Sequence, residues 1–95
     1  MANLLGSNNS RYYVYHEGAN VTLYRDDYLI WCKEMPFSRF MILGISNTGS
    51  VALLSEEGLY IYPQAPDSNP EFIQRYSREA LKQKQAVMGR ILVGD

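Results

Sequence analysis

Several short strand-type runs in this chain are apolar on both alternations, and that pattern limits its fold more than any other feature. In residues 28–32 one side carries Tyr28, Ile30 and Cys32, and the other carries Leu29 and Trp31. In residues 39–45, Met41, Leu43 and Ile45 alternate with Phe40 and Ile42, and further on Leu59 and Ile61 alternate with Tyr60 and Tyr62. Successive side chains of a strand point to opposite faces, so a sheet with one side in water alternates apolar with polar residues. These strands need cover on both sides. Leaving several large aromatic groups in water would forfeit several kcal/mol at about 25 cal/mol per Å², much of the net stability of a small domain.

Turn chemistry divides the runs. Glu17-Gly18-Ala19-Asn20 closes the run Arg11–His16, and Arg25-Asp26-Asp27 reads as a hairpin loop between Val21–Tyr24 and Tyr28–Lys33. Pro36 interrupts pairing before the next run. Ser46-Asn47-Thr48-Gly49 and Glu56-Glu57-Gly58 are the remaining turns. Short loops favour sequential antiparallel pairing. Residues 11–62 therefore read as an antiparallel β-meander of about five to six strands, preceded by a flexible polar lead-in over residues 1–10. No internal repeat or low-complexity segment is evident.

The pattern changes at Pro63-Gln64-Ala65-Pro66-Asp67, and residues 63–69 read as a linker. Ser68-Asn69-Pro70-Glu71 then offers either an Asn69 cap with Pro70 at the first helical position or a Ser68–Glu71 capping box. Phe72, Ile73, Tyr76, Ala80, Leu81, Val87 and Met88 recur at helical period, with Gly89 as a stop. The expectation is an α+β domain over residues 11–95, with one C-terminal α-helix over about 70–88 packed on the sheet. Ile91-Leu92-Val93 is too apolar for a loose tail and is expected to dock. A helix of about 18 residues, roughly 27 Å long, covers one side of such a sheet. The other side requires a curled sheet, a second copy or a partner.

Composition bounds the function. The 95 residues carry a net charge of −1, which points away from a polyanionic partner such as nucleic acid. The charge is unevenly placed. Residues 1–73 hold four basic and eight acidic groups, and residues 74–95 hold five basic and two acidic. That makes the expected helix a basic element, read first as a solvated face and second as an anion-facing one. A single cysteine, Cys32, forms no internal disulfide and suits a reducing cytoplasm. Met1–Leu5 has no basic n-region, so no signal peptide is expected, and no apolar run reaches the ~20 residues that span a bilayer.

Chemistry-bearing motifs are sparse. His16 is the only histidine, and no triad or Cys–His pairing is recognisable around it, so it ranks third as a catalytic base. Asp26-Asp27 and Glu56-Glu57 fall in turns without calcium-loop spacing, and no glycine-rich phosphate loop opens a helix. No metal and no cofactor is expected. Tyrosine is the enriched functional type. Seven of the eight tyrosines lie in strand-type runs, and Tyr12, Tyr13 and Tyr15 must occupy both sides of one strand.

The leading reading is a small cytoplasmic, non-enzymatic binding protein of accessory or inhibitor type, in the style of phage and mobile-element proteins. It self-associates as a dimer or higher oligomer and occludes a partner protein. The second reading is a binder of a small anionic ligand or nucleotide. The contact residues expected for either are Tyr12, Tyr13, Tyr15, His16, Tyr60, Tyr62, Arg75, Arg78 and Lys82.

Overall fold

A computed structural model describes residues 3–75, and within them every element is a strand. The chain runs twice through a four-stranded antiparallel meander. β1 (Asn3–Gly6), β2 (Tyr12–Glu17), β3 (Asn20–Arg25) and β4 (Tyr28–Glu34) form the first sheet in sequence order. β5 (Phe40–Ile45), β6 (Val51–Ser55), β7 (Gly58–Tyr62) and β8 (Glu71–Arg75) form the second.

This corrects the α+β expectation of one meander with a helix packed on it. Residues 71–75, expected to begin the helix, are β8 and pair with β7 through Tyr60↔Phe72 and Ile61↔Glu71. Phe72 and Ile73 are strand formers, and the register shift between Leu59 and Tyr60 gives the spacing of this run an irregularity that resembles a helical period. The remainder of the expected helix, with Arg78, Lys82 and Ile91–Val93, lies outside the described residues. Residues 3–6, placed in the lead-in by sequence, pair with β2 from Asn3↔His16 to Gly6↔Tyr13.

One side of each apolar run is covered because the sheets stack on each other. Break and fold-over occur at Met35–Arg39, where Pro36 ends the pairing. Met35 and Phe37 turn inward there, and the Met35 N–H donates to the Ala19 carbonyl at 2.8 Å. One core results. Tyr12, Val14, Val21, Leu23 and Trp31 of the first sheet meet Ile45, Val51, Leu53 and Tyr62 of the second. Burying each of the large aliphatic side chains stabilises the fold by about 1.5–3 kcal/mol. A bulge in β4 shifts register between Leu23 and Tyr24, so that Leu23 faces Trp31 while Tyr24 faces Leu29. The strict alternation expected for residues 28–32 therefore fails, because the bulge turns Leu29 to the outer side beside Tyr24.

The two halves repeat each other, a relation the amino-acid pattern conceals. Ser7-Asn8-Asn9-Ser10 and Ser46-Asn47-Thr48-Gly49 are the same turn: Ser10 N–H donates to Ser7 O at 3.0 Å, and Gly49 N–H to Ser46 O at 3.1 Å. The fourth residue has positive φ in both, 61° at Ser10 and 88° at Gly49. The turns also touch, with Asn9 N–H donating to Asn47 Oδ1 at 2.9 Å and Asn9 Nδ2 to Asn47 O at 3.2 Å. Beyond them Ser7 N–H donates to Tyr12 O and Ser46 N–H to Ser50 O, which makes Tyr12 the counterpart of Ser50. A two-residue loop follows in each half, after Glu17 and after Ser55. Val14 thus corresponds to Ala52, Leu23 to Ile61 and Tyr24 to Tyr62.

Candidate interaction surface

Of the nine residues expected to make contacts, Arg78 and Lys82 lie outside the described residues, and the others are spread over several parts of the fold. Tyr12 and Tyr62 are core residues. The Tyr12 ring lies against Gly49, with the Arg25 guanidinium 5.8 Å from its centroid. Tyr62 sits 6.3 Å from Trp31, and the Lys33 ammonium lies 5.1 Å from the Trp31 ring and 5.8 Å from that of Tyr62. Burial, with the nearby Tyr60 and Glu57, pushes the Tyr62 hydroxyl above the ordinary tyrosine pKa. Tyr60 stacks between Phe37 and Phe72 at 5.1 and 5.0 Å, and its hydroxyl donates to Glu57 at 3.0 Å. Arg75 ends β8.

Tyr13 and Tyr15 lie on the outer side of the first sheet. The register places them with Leu4, Thr22, Tyr24, Leu29 and Cys32 on that side, through Leu4↔Tyr15↔Thr22↔Cys32 and Tyr13↔Tyr24↔Leu29. The Tyr15 hydroxyl donates to Glu17 at 3.2 Å, and the Glu17 charge holds its pKa above the usual value. Thr22 Oγ1 donates to Cys32 Sγ at 3.3 Å. Tyr24 is half-buried, and Leu29 is 58% exposed. This side is broad and tyrosine-rich, with its charges, Glu17 and Glu34, together at one end through Glu17↔Asn20↔Glu34.

His16 belongs to a different feature. Its ring lies 4.4 Å from that of Phe40, and Nε2–H donates to the Gly18 carbonyl at 2.9 Å. That bond places the proton on Nε2 and leaves Nδ1 as the acceptor nitrogen of the ring. Beside it, Leu4, Leu5, His16, Phe40, Met41 and Ile42 line a cleft of about 340 Å³. A second cleft of about 400 Å³ continues past Phe40 and Met41 to Arg39, Leu54, Ser55 and Glu56. Glu56 caps its rim, accepting from Ser38 N–H at 2.8 Å and Arg39 N–H at 2.9 Å. Those N–H groups, Arg39 first, hold its carboxyl below the ordinary glutamate pKa. Leu4 is 64% and Met41 52% exposed.

Sequence reasoning missed the cleft because Leu4 and Leu5 stood in a segment read as a lead-in. Their strand character becomes visible only once Val14 and Tyr15 are known to face them. Among the described residues no cluster of three or more His, Cys, Asp or Glu side chains is arranged for a metal ion. No helix long and apolar enough to cross a membrane occurs among them. The described residues define a class, an all-strand unit of two stacked antiparallel sheets with an apolar cleft at its first strands. Comparison with known proteins finds no matching family model, no matching curated protein and no matching solved structure.

Proposed function

We propose that this chain is a binding protein that takes up an extended, apolar segment of another polypeptide along the cleft between β1 and β5. The observation that carries this reading is that β1 and β5 are each the first strand of a sheet and, among the described residues, paired on one side only, with exposed Leu4 and Met41 lining the cleft. An edge strand offers a row of free backbone donors and acceptors, and a peptide adding to it as a strand gains main-chain hydrogen bonds. Phe40, Ile42 and Leu5 supply apolar contacts for alternate side chains of such a peptide. The exposed thiol of Cys32 suits a reducing compartment, and we place the protein in the cytoplasm on that ground.

The test is a panel of strand-forming peptides with alternating apolar residues, titrated against the protein and its Met41→Glu variant. Losing a buried Met contact of about 1.5–3 kcal/mol weakens binding roughly 10- to 100-fold. N-methylation of alternate peptide amides abolishes binding if the peptide pairs with an edge. Binding that survives both changes overturns the reading.

A further inference from the structure

The outer side of the first sheet carries rings that lie down rather than stand. Gly6 pairs with Tyr13, and a Cβ on Gly6 would meet both Cδ1 and Cε1 of Tyr13 at 3.3 Å, so the ring rests across the glycine. The Tyr13 hydroxyl holds it there by donating to the Ser10 carbonyl at 2.8 Å. Tyr15 leans the other way along β2, where its hydroxyl donates to Glu17 at 3.2 Å. Tyr24 lies opposite Tyr13 in β3, and Leu29 lies beyond it in β4. All three tyrosines are half-buried, so each ring keeps part of its surface in water.

The polar groups of this side are already engaged, and that selects the ligand. The Tyr13 and Tyr15 hydroxyls donate within the chain, as does the Thr22 hydroxyl to Cys32 Sγ. β2 and β3 are each paired on both sides, so their backbone groups are engaged as well. What is left is aromatic and apolar surface with few free donors. A saccharide needs partners for its hydroxyls, and an added strand needs an open edge. A phosphate needs cations, whereas the charges that the strand register places here are Glu17 and Glu34. A proline-rich segment in the polyproline II form meets these conditions: it docks on aromatic surface, its prolines carry no N–H, and it is extended before it binds. Its same-side residues recur about every 9 Å. Alternate residues of a strand lie about 6.8 Å apart, and the opposite lean of Tyr13 and Tyr15 extends their spacing toward that repeat.

We propose that the outer side of the first sheet is a docking surface for a proline-rich segment of another protein, whose prolines stack on Tyr13, Tyr15 and Tyr24 and whose lysine or arginine lies beside Glu17 and Glu34. Charge complementarity fixes the basic residue. The register gathers the two carboxylates at one end through Glu17↔Asn20↔Glu34, while Lys33 turns to the core side over Trp31 and Tyr62 and leaves them uncompensated by it. A basic side chain there also gains from the neighbouring tyrosine ring. The surface is separate from the β1–β5 cleft and does not rest on peptide uptake there.

The experiment titrates two peptides against the full chain by calorimetry, each of about ten prolines and so about 31 Å long as polyproline II, with arginine at the first or the last position. At least one is expected to bind, and replacing its arginine by glutamate is expected to weaken binding several-fold. Tyr15→Ala removes one ring contact and weakens binding roughly 3- to 10-fold. Leu29→Glu, at an exposed position, is the second variant and carries the test if Tyr15→Ala loses its cooperative melt. No binding of either peptide up to about 1 mM overturns the proposal. So does binding that Leu29→Glu leaves unchanged. A chain that dimerises by light scattering and reverts to a monomer in Leu29→Glu overturns it too, because a second copy then holds this side. Leu29 lies outside the β1–β5 cleft, so a strand-forming peptide binds Leu29→Glu as it binds the unmodified chain, and the two readings fail separately.

Discussion

Replacing Gly49 by alanine tests the turn that opens the second half of the repeat, and its cost follows from two separate terms. Gly49 has φ +88°, a backbone conformation an L-residue adopts at about 1–2 kcal/mol. A Cβ there would stand 2.7 Å from Tyr12 Cε1 and 2.9 Å from Cδ1. Tyr12 is a core residue and cannot swing away, so overpacking adds about 1–3 kcal/mol. The third neighbour, Gln64 Cγ at 3.0 Å, belongs to a flexible chain and can yield. Against these costs, alanine lowers the entropy of the unfolded chain by about 0.4–1 kcal/mol. The net expectation is a loss of roughly 2–4 kcal/mol. Gly18→Ala is the internal control, because φ is +59° there and nothing lies within 4 Å of a Cβ. That variant keeps only the backbone term and loses at most about 1.6 kcal/mol. Urea unfolding followed by fluorescence of the buried Trp31 reads both variants by linear extrapolation. Variants equal to within about 0.5 kcal/mol would refute the packing of the turn on Tyr12, since that margin is smaller than the overpacking term.

Leu23→Ala removes a side chain with no exposed surface from the layer between the sheets and is expected to cost about 2–5 kcal/mol in the same assay. A cost below about 1 kcal/mol would mean that the sheets do not share a core. The lowered pKa of Glu56 contributes stability that is present above the unfolded-state pKa and lost as pH falls through the folded one. Glu56→Gln should accordingly flatten the acid limb of a stability–pH curve, and an unchanged limb would contradict the Ser38–Arg39 cap. Tyr62, with its pKa raised by burial, keeps its proton in the fold after the unfolded chain has lost it, so its contribution is lost as pH rises through the folded value. Ultraviolet titration should show Tyr62→Phe removing a late-ionising tyrosine.

Much of the first half was legible in the sequence. Gly18, Asp26-Asp27, Pro36 and Gly49 mark real breaks, and one side of the two-sided apolar strands is covered by a second layer. That layer proved to be the chain itself, folded over at Met35–Arg39. The helical reading failed at Phe72-Ile73 because a five-residue strand with a bulge carries too few residues to separate the two periods. The repeat was hidden because corresponding positions differ in type. Val14 matches Ala52 and Thr22 matches Tyr60, while Arg11 adds a residue to the first turn. The shared Ser-Asn start, the matched turn hydrogen bonds and the positive φ at Ser10 and Gly49 reveal it. Of the expected contact residues, Tyr12 and Tyr62 were drawn into the core, since alternation cannot say which side of a two-sided strand faces inward. Tyr13 and Tyr15 remain on the outer side of the first sheet.

The central claim, that the β1–β5 cleft takes up an extended apolar peptide by pairing it with an edge strand, is tested most directly by titrating a strand-forming peptide, and its copy N-methylated at alternate amides, against the unmodified chain. The account predicts that the first peptide binds and the second does not. Equal binding of both would contradict it.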